Sequence, residues 1–533
     1  MIRSRAKWGA LAMCLAGACG GKAPSPVVAT TPPSPASTIP AAPVVAPHKV
    51  AAPSPPPPPP TGDVGTAHPV VVQAVGANAQ WAALCQARAD TDGDGKIEIH
   101  VGYHGDLHGD EMTPFLVLGS GAGAPIDDFV TASPSGRHLV VIRQGKLVLI
   151  DSESKGEVDL SARGADVRDD HSPFGHHRAA ELSDDGERVL YMRHDAAGDS
   201  VVVREIATQN EVVIPAGPGM LWRASFAPGG RWVHMLVVAK DTDGDGKLTW
   251  PTPRTSLGGR KCRGPIAVYG VYGRNGDEPE ERYARVTGGA AVSAADVVVP
   301  MGDALIRRAK DGALSIDAGG GKTRPLAPAA CGAKVLSVDP SSGRVLVACS
   351  ALAKKHKTSY GEEELAPTSI FGGPAEVKLG ATIDISSFRR ESPSIDAVTL
   401  LRDGTSDGRL RVEVATGRQQ KLPKEGVVLG FDDPARIVMH REGRVFSFDV
   451  ADPTKTTTLA TGAKDVGSVE GTLAVLRDDK GAQSLFDVAG GAPPIPVKGK
   501  VVRLSKAAAL VAPGADGGRR AIPSGPLRWV AAR

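Results

Sequence analysis

The chain has 533 residues, a formal net charge of +3 and 23% charged residues. Aromatic residues make up 4%, and Lys and Arg are scattered rather than gathered in a block. That composition excludes a nucleic-acid-binding surface built on basic and aromatic patches.

The chain begins with a processing signal. Arg3, Arg5 and Lys7 form a basic start, and an apolar stretch follows from Trp8 to Ala18. The stretch is far shorter than the roughly 20 residues that span a bilayer, so residues 1–18 read as a signal peptide. It ends in Leu15-Ala16-Gly17-Ala18-Cys19-Gly20-Gly21, which resembles a bacterial lipobox with the usual Leu one place early. The resemblance implies that Cys19 becomes the lipidated first residue and that the protein partners the membrane through this anchor. Cleavage nearby as an ordinary signal peptide is the alternative. Gly rather than Asp after Cys19 is similar to Gram-negative lipoproteins of the outer membrane. From Cys19 to Gly62 the chain is mostly Pro, Ala, Ser, Val and Thr, with a proline run from Pro55 to Pro60. It has no apolar period and reads as an extended, disordered tether.

Residues 63–128 are expected to form an N-terminal segment with a partial blade. Pro69 to Gln73 and Phe115 to Leu118 read as strands, and Leu527 to Val530 is expected to close the blade. Between those strands lies Asp90-Thr91-Asp92-Gly93-Asp94-Gly95-Lys96, which recurs as Asp241-Thr242-Asp243-Gly244-Asp245-Gly246-Lys247. Carboxylates at positions 1, 3 and 5, followed by Gly at 6, turn three oxygens toward one point, as in the first half of a calcium loop. Position 12, where an EF-hand carries Glu, is Val101 in one copy and Thr252 in the other. The Gly and Pro that follow cannot continue a helix.

The loops are more similar to the short Asp-x-Asp-x-Asp-Gly-x-x-Asp loops between strands of integrin-type propellers. That resemblance implies Ca²⁺ ligands at Asp90, Asp92, Asp94 and Glu98, with the Lys96 carbonyl. In the second copy it implies Asp241, Asp243, Asp245 and Thr249, with the Lys247 carbonyl. Thr249 makes the second site the weaker, and metal-free acidic turns are the alternative for both. Asp106 or Asp110 is a further candidate to complete the first shell.

Six Cys are present. Cys14 leaves with the signal and Cys19 takes the lipid. The remaining four, Cys85, Cys262, Cys331 and Cys349, suit disulfides in an oxidising compartment. Three pairings are possible, and Cys85–Cys262 with Cys331–Cys349 is preferred.

The rest of the chain, 129–533, reads as strands and turns. Ser133-Pro134-Ser135-Gly136-Arg137, Ser183-Asp184-Asp185-Gly186, Ala227-Pro228-Gly229-Gly230-Arg231 and Asp339-Pro340-Ser341-Ser342-Gly343-Arg344 each precede an apolar run. Pro presets one turn dihedral, Ser or Asp bonds the local backbone, and Gly takes positive φ before the next strand. A period near 45 residues with several strands per unit is the signature of a propeller. The repeat resembles TolB-like and WD-like propellers without the Trp-Asp signature. The expected fold is all-β, a propeller of about seven to eight blades; a double β-sandwich is the other architecture.

Two His-rich stretches remain: His100, His104, Asp106, His108 and Asp110, and then Asp169, Asp170, His171, His176 and His177. Imidazole with carboxylate suits Zn²⁺, but neither run has a recognised ligand interval, and solvated loop histidines are the plainer reading. The fold and anchor imply a cell-envelope, Ca²⁺-stabilised binding or scaffold module for a protein or glycan. A periplasmic hydrolase or lyase working at the propeller channel is the alternative. No arrangement of catalytic residues stands out.

Overall fold

Strand-forming runs dominate, and they pair locally. The computed structural model describes Pro58 and residues 60–531, apart from 102–106, 166–178, 251, 254–261, 263–273, 290–291, 294–295, 319–321, 359–360, 385–388, 391–394, 403–404, 423–425, 431–435, 450–451, 453, 490–491, 514–521 and 524. The signal segment, Cys19 and most of the tether lie outside the described residues. Among those described there is no α-helix. Eight antiparallel sheets have four strands each and one has nine. In chain order the sheets span residues 70–125, 128–159, 180–215, 220–293, 297–327, 333–422 (the nine-stranded one), 427–461, 465–496 and 500–531.

Most of the apolar cores are shared by two consecutive sheets. Trp81 and Leu116 of the first sheet pack with Leu139 and Ile150 of the second. The same holds for the second with the third, third with fourth, fourth with fifth, and fifth with the nine-stranded sheet. It resumes from seventh to eighth and eighth to ninth. The ninth then packs on the first, through Leu510, Ala512 and Leu527 against Val70, Leu84 and Val117. Sheets stacked face to face in sequence order, with the last against the first, make a β-propeller. Burial on both faces explains why strands such as Val201 to Val203 are apolar without alternation.

The recurrent turn also has a role between sheets. Gly136, Gly186 and Gly302 have φ of 78°, 72° and 61°, a region that Gly enters without cost. Their carbonyls face the preceding sheet. Trp81 Nε1 donates to Gly136 O at 2.7 Å, His138 Nδ1 to Gly186 O at 2.9 Å and Trp232 Nε1 to Gly302 O at 2.9 Å. Trp81, His138 and Trp232 each open the second strand of their sheet. One polar tip thus latches one blade to the turn of the next.

Two expectations differ from the structure. The first sheet is complete with its own four strands, Val70–Val75, Trp81–Ala87, Met112–Leu118 and Ala124–Pro125. Closure runs the other way: Asp63–Val64 adds to the final strand, Leu527–Ala531, as the outer strand of the last sheet. An ion pair from Arg528 Nε to Asp63 Oδ1 at 2.8 Å fixes that register. A two-residue strand carries no periodicity by which to read it. The nine-stranded sheet includes strands Lys354–Thr358, Gly361–Phe371 and Val377–Asp384.

Candidate metal centre

Both acidic heptapeptides occupy the same topological place. The first connects the second and third strands of the first sheet, Trp81–Ala87 and Met112–Leu118. The second connects the second and third strands of the fourth, Trp232–Val238 and Glu280–Arg285. Each is followed by a small antiparallel hairpin, Ile99–Val101 with Leu107–Gly109 and Thr252–Pro253 with Arg274–Asn275.

The two loops fold alike. Asp90 Oδ1 accepts from Gly93 N–H at 2.6 Å and its Oδ2 from Gly95 N–H at 2.8 Å. Asp241 does the same with Gly244 and Gly246, at 2.6 and 2.8 Å. Asp92 accepts from Asp94 N–H and Asp243 from Asp245 N–H, both at 3.2 Å. Asp94 and Asp245 accept from the N–H groups of Lys96 and Lys247, both at 2.8 Å. These side chains therefore curl the backbone around themselves. Gly93 and Gly95 have φ of 82° and 84° with open space where a Cβ would sit, so Gly is required by the backbone angle and not by crowding.

A second carboxylate holds each loop from behind. Asp110 Oδ1 accepts from the Thr91 N–H and Oγ1 and from Asp92 N–H, while Oδ2 accepts from Glu98 N–H at 2.9 Å. Asp277 repeats this with Thr242, Asp243 and, at 2.8 Å, Thr249 N–H. Thr91 and Thr242 hydroxyls in turn accept from Glu111 and Glu278 N–H, both at 2.7 Å. Asp110 and Asp277 are buried, whereas the loop carboxylates are exposed. The N–H donors of Thr91 and then Glu98 hold the Asp110 carboxyl below its usual range, and those of Thr249 and then Thr242 do so for Asp277. Asp110, weighed from sequence as a shell ligand, is instead placed as a clamp on the loop backbone.

The donor set fits a hard cation. Carboxylate oxygens of Asp90, Asp92 and Asp94 lie within 4.8 Å of one another, as do those of Asp241, Asp243 and Asp277. Oxygens sharing one Ca²⁺ at about 2.3–2.6 Å can be at most about 5 Å apart, so the three meet the pairwise condition for a shared ion, with at most a small inward shift of the side chains. In the second loop the cluster includes Asp277 where the sequence pointed to Asp245. At position 9, the Thr249 hydroxyl is buried and without a hydrogen-bond partner among the described residues. Asp277 was not read from sequence. The signal for it is the pair of tripeptides Gly109-Asp110-Glu111 and Gly276-Asp277-Glu278.

The modules are joined covalently. Cys85, in the strand leading to the first loop, is bonded to Cys262, beyond the second, with a Cα–Cα distance of 5.6 Å. The bridge sits in a small core with Ala87, Ile99 and Met112, against which Ile97 and Ile522 pack. Cys331 is bonded to Cys349 around one hairpin, so the preferred pairing is the one present. Of the histidines, His100 and His108 lie opposite each other in the first hairpin. His104, Asp106, Asp169, Asp170, His171, His176 and His177 lie outside the described residues.

No family model matches the chain, and no curated protein does. Among solved structures, it is similar to a putative TolB from Agrobacterium tumefaciens, at 12% identity over 44% of this chain and 69% of that one, with a TM-score of 0.23. It is also similar to Pyrococcus horikoshii acylaminoacyl peptidase, at 9% over 79% of this chain and 57% of that one, with a TM-score of 0.28. A third is Porphyromonas gingivalis dipeptidyl peptidase 4, at 8% over 81% and 60%, with a TM-score of 0.34. The chain spans less than two thirds of the length of either peptidase. The propeller assignment rests on the sheet order and the shared cores. No helix among the described residues is long and apolar enough to cross a membrane.

Proposed function

We propose that the chain is a cell-envelope lipoprotein anchored to the outer membrane through Cys19, whose propeller is a Ca²⁺-stabilised binding module for a protein or glycan. The observation that carries the cation reading is the duplicated construction: two loops in different sheets, each with converging carboxylates and a buried Asp clamping its backbone. Asp90, Asp92, Asp94 and Glu98 would hold one ion. Asp241, Asp243, Asp245 and Thr249 would hold the other, with Asp277 close enough to contribute. Without a cation the loop carboxylates repel one another; Ca²⁺ relieves this and favours the folded state. At a hundredfold excess over Kd the stabilisation is about 2.7 kcal/mol. Millimolar affinity suffices for an extracellular module.

Replacing Asp92 and Asp94 with Ala should lower the melting temperature in Ca²⁺ and leave it nearly unchanged in chelator. The same change at Asp243 and Asp245 should do less. A melting curve indifferent to chelator would reduce both loops to acidic turns.

A further inference from the structure

The recurrent turn ends in Gly-Arg in three sheets, and among the described residues only two of those arginines meet a carboxylate. Arg137 donates from Nε and Nη2 to Asp151 Oδ2 at 3.1 and 3.0 Å and lies 3.5 Å from Glu153 Oε2. Arg231 pairs with Asp303 of the next sheet. Arg344 has neither hydrogen bond nor ion pair among the described residues, and its Nη1 is buried. A guanidinium offers five N–H donors and no acceptor, so burying one without a partner is costly.

Strand register shows what is missing. His138 follows Arg137 and pairs with Asp151, while Val345 follows Arg344 and pairs with Phe371. Asp151 and Phe371 therefore hold equivalent positions, as do Glu153 and Gly373 two residues on. The two acids that neutralise Arg137 are replaced by an aromatic residue and a glycine beside Arg344. A Cβ on Gly373 would stand 3.1 Å from Arg344 Nε and 3.2 Å from its Nη2, so the guanidinium faces bare backbone. A second cation adjoins it. Arg324 donates from Nη1 to Gly372 O at 3.3 Å and from Nη2 to Gly343 O at 3.4 Å, and it too has no carboxylate partner among the described residues.

We propose that Arg344 and Arg324 bind the carboxylates of an acidic peptide segment in a partner protein. A guanidinium takes a carboxylate through two parallel N–H bonds, and such charge-assisted bonds are the strong ones. The precedent inside the molecule is Asp151-Ser152-Glu153, and an extended peptide likewise presents alternate side chains on one face. Arg344 is half-buried, which strengthens attraction to an anion, and exposed Arg324 favours its approach. The Gly343 turn joins the first and second strands of its sheet, whereas the acidic loops join second and third strands, so the site lies at the opposite end of a blade from theirs. The proposal rests on the binding role given above and names its partner class. It shares no residue with either calcium loop, so a failed peptide titration leaves Ca²⁺ stabilisation standing, and a melting curve indifferent to chelator leaves this site standing.

The experiment is a fluorescence-polarisation titration of the full chain with a labelled peptide centred on Asp-Ser-Glu. Its Asn-Ser-Gln counterpart and an oligogalacturonate are the comparison ligands. Wild type should bind the acidic peptide at least about tenfold more tightly than the amide form. Arg344→Gln should weaken binding about tenfold or more, and Arg324→Gln by a smaller factor. Gly373 lies outside the left-handed region, so Gly373→Glu is free of backbone strain and needs only a small shift of the Arg344 guanidinium. That variant restores a carboxylate at the place equivalent to Glu153; it should block the peptide and raise the melting temperature, and it keeps the test decisive if Arg344→Gln does not fold. No binding by wild type, undiminished binding by folded Arg344→Gln or by Gly373→Glu, or tighter binding of the oligogalacturonate than of the peptide would each overturn the proposal.

Discussion

The two acidic modules match in their loops and differ around them. Asp90 and Asp241 make the same pair of bonds, and Asp110 and Asp277 clamp the same backbone positions. Beyond the loop they part. Ile97, at position 8 of the first, packs toward the bridge core, whereas Leu248 in the second is 39% exposed. Position 9 is Glu98 in one and Thr249 in the other. From the clamp bond to the first hairpin pairing, the second module advances three residues on one strand (249 to 252) and two on the other (277 to 275), so its ladder is out of step. The common part is a hydrogen-bond pattern that needs Asp and Gly at set positions, while the flanks answer to whatever surface lies beneath them.

Breaking the link between the modules should have the largest effect. Cys85 and Cys262 are 177 residues apart in sequence, and a loop of that length restricts the unfolded chain by about 5 kcal/mol in the chain-entropy model. Replacing both with Ser should lower stability by up to that amount in a denaturant titration. Replacing Cys331 and Cys349, 18 apart, should cost about 3 kcal/mol. A larger loss from the second pair would mean that the bridge between modules is incidental.

Removing one clamp separates the modules. Asp110→Ala leaves the loop carboxylates in place but strips the partner from the Thr91, Asp92 and Glu98 N–H groups. Ca²⁺ affinity at the first module should fall about 10- to 100-fold, with the second unchanged, by calorimetry. Asp277→Ala should do the converse, and more severely if its carboxylate also touches the ion.

Acid should weaken both modules, through a smaller effect. Asp110 and Asp277 have folded-state pKa values lowered from the ordinary 3.8. Their contribution is therefore complete above that value and is lost as pH falls through the lower folded values. Stability in chelator should decline with acid below about pH 4. In the Asp110→Asn, Asp277→Asn double variant part of that slope should vanish.

Much of this was legible from sequence because the determinants are local. A Ser-Pro-Ser-Gly-Arg turn before an apolar run announces a blade, and Asp at alternate positions announces a loop. What was not legible depends on distance. Asp277 lies 36 residues beyond Asp241, and the Gly-Asp-Glu tripeptide it shares with Asp110 gains meaning only from its bonds to Thr242, Asp243 and Thr249. Asp63–Val64 is too short for any period, so the direction of closure is set by its pairing with Leu527 and Arg528. The nine-stranded sheet arises because Val377–Asp384 pairs on both sides, with Gly361–Phe371 and with Ile395–Arg402.

The most direct measurement of the central claim is the stoichiometry of Ca²⁺ binding to the body, residues 63–533, by calorimetry. Two ions per chain are expected, the tighter lost on changing Asp90, Asp92 and Asp94 and the weaker on changing Asp241, Asp243 and Asp245. No heat of binding up to millimolar Ca²⁺, or two ions that persist when either loop is neutralised, would contradict it.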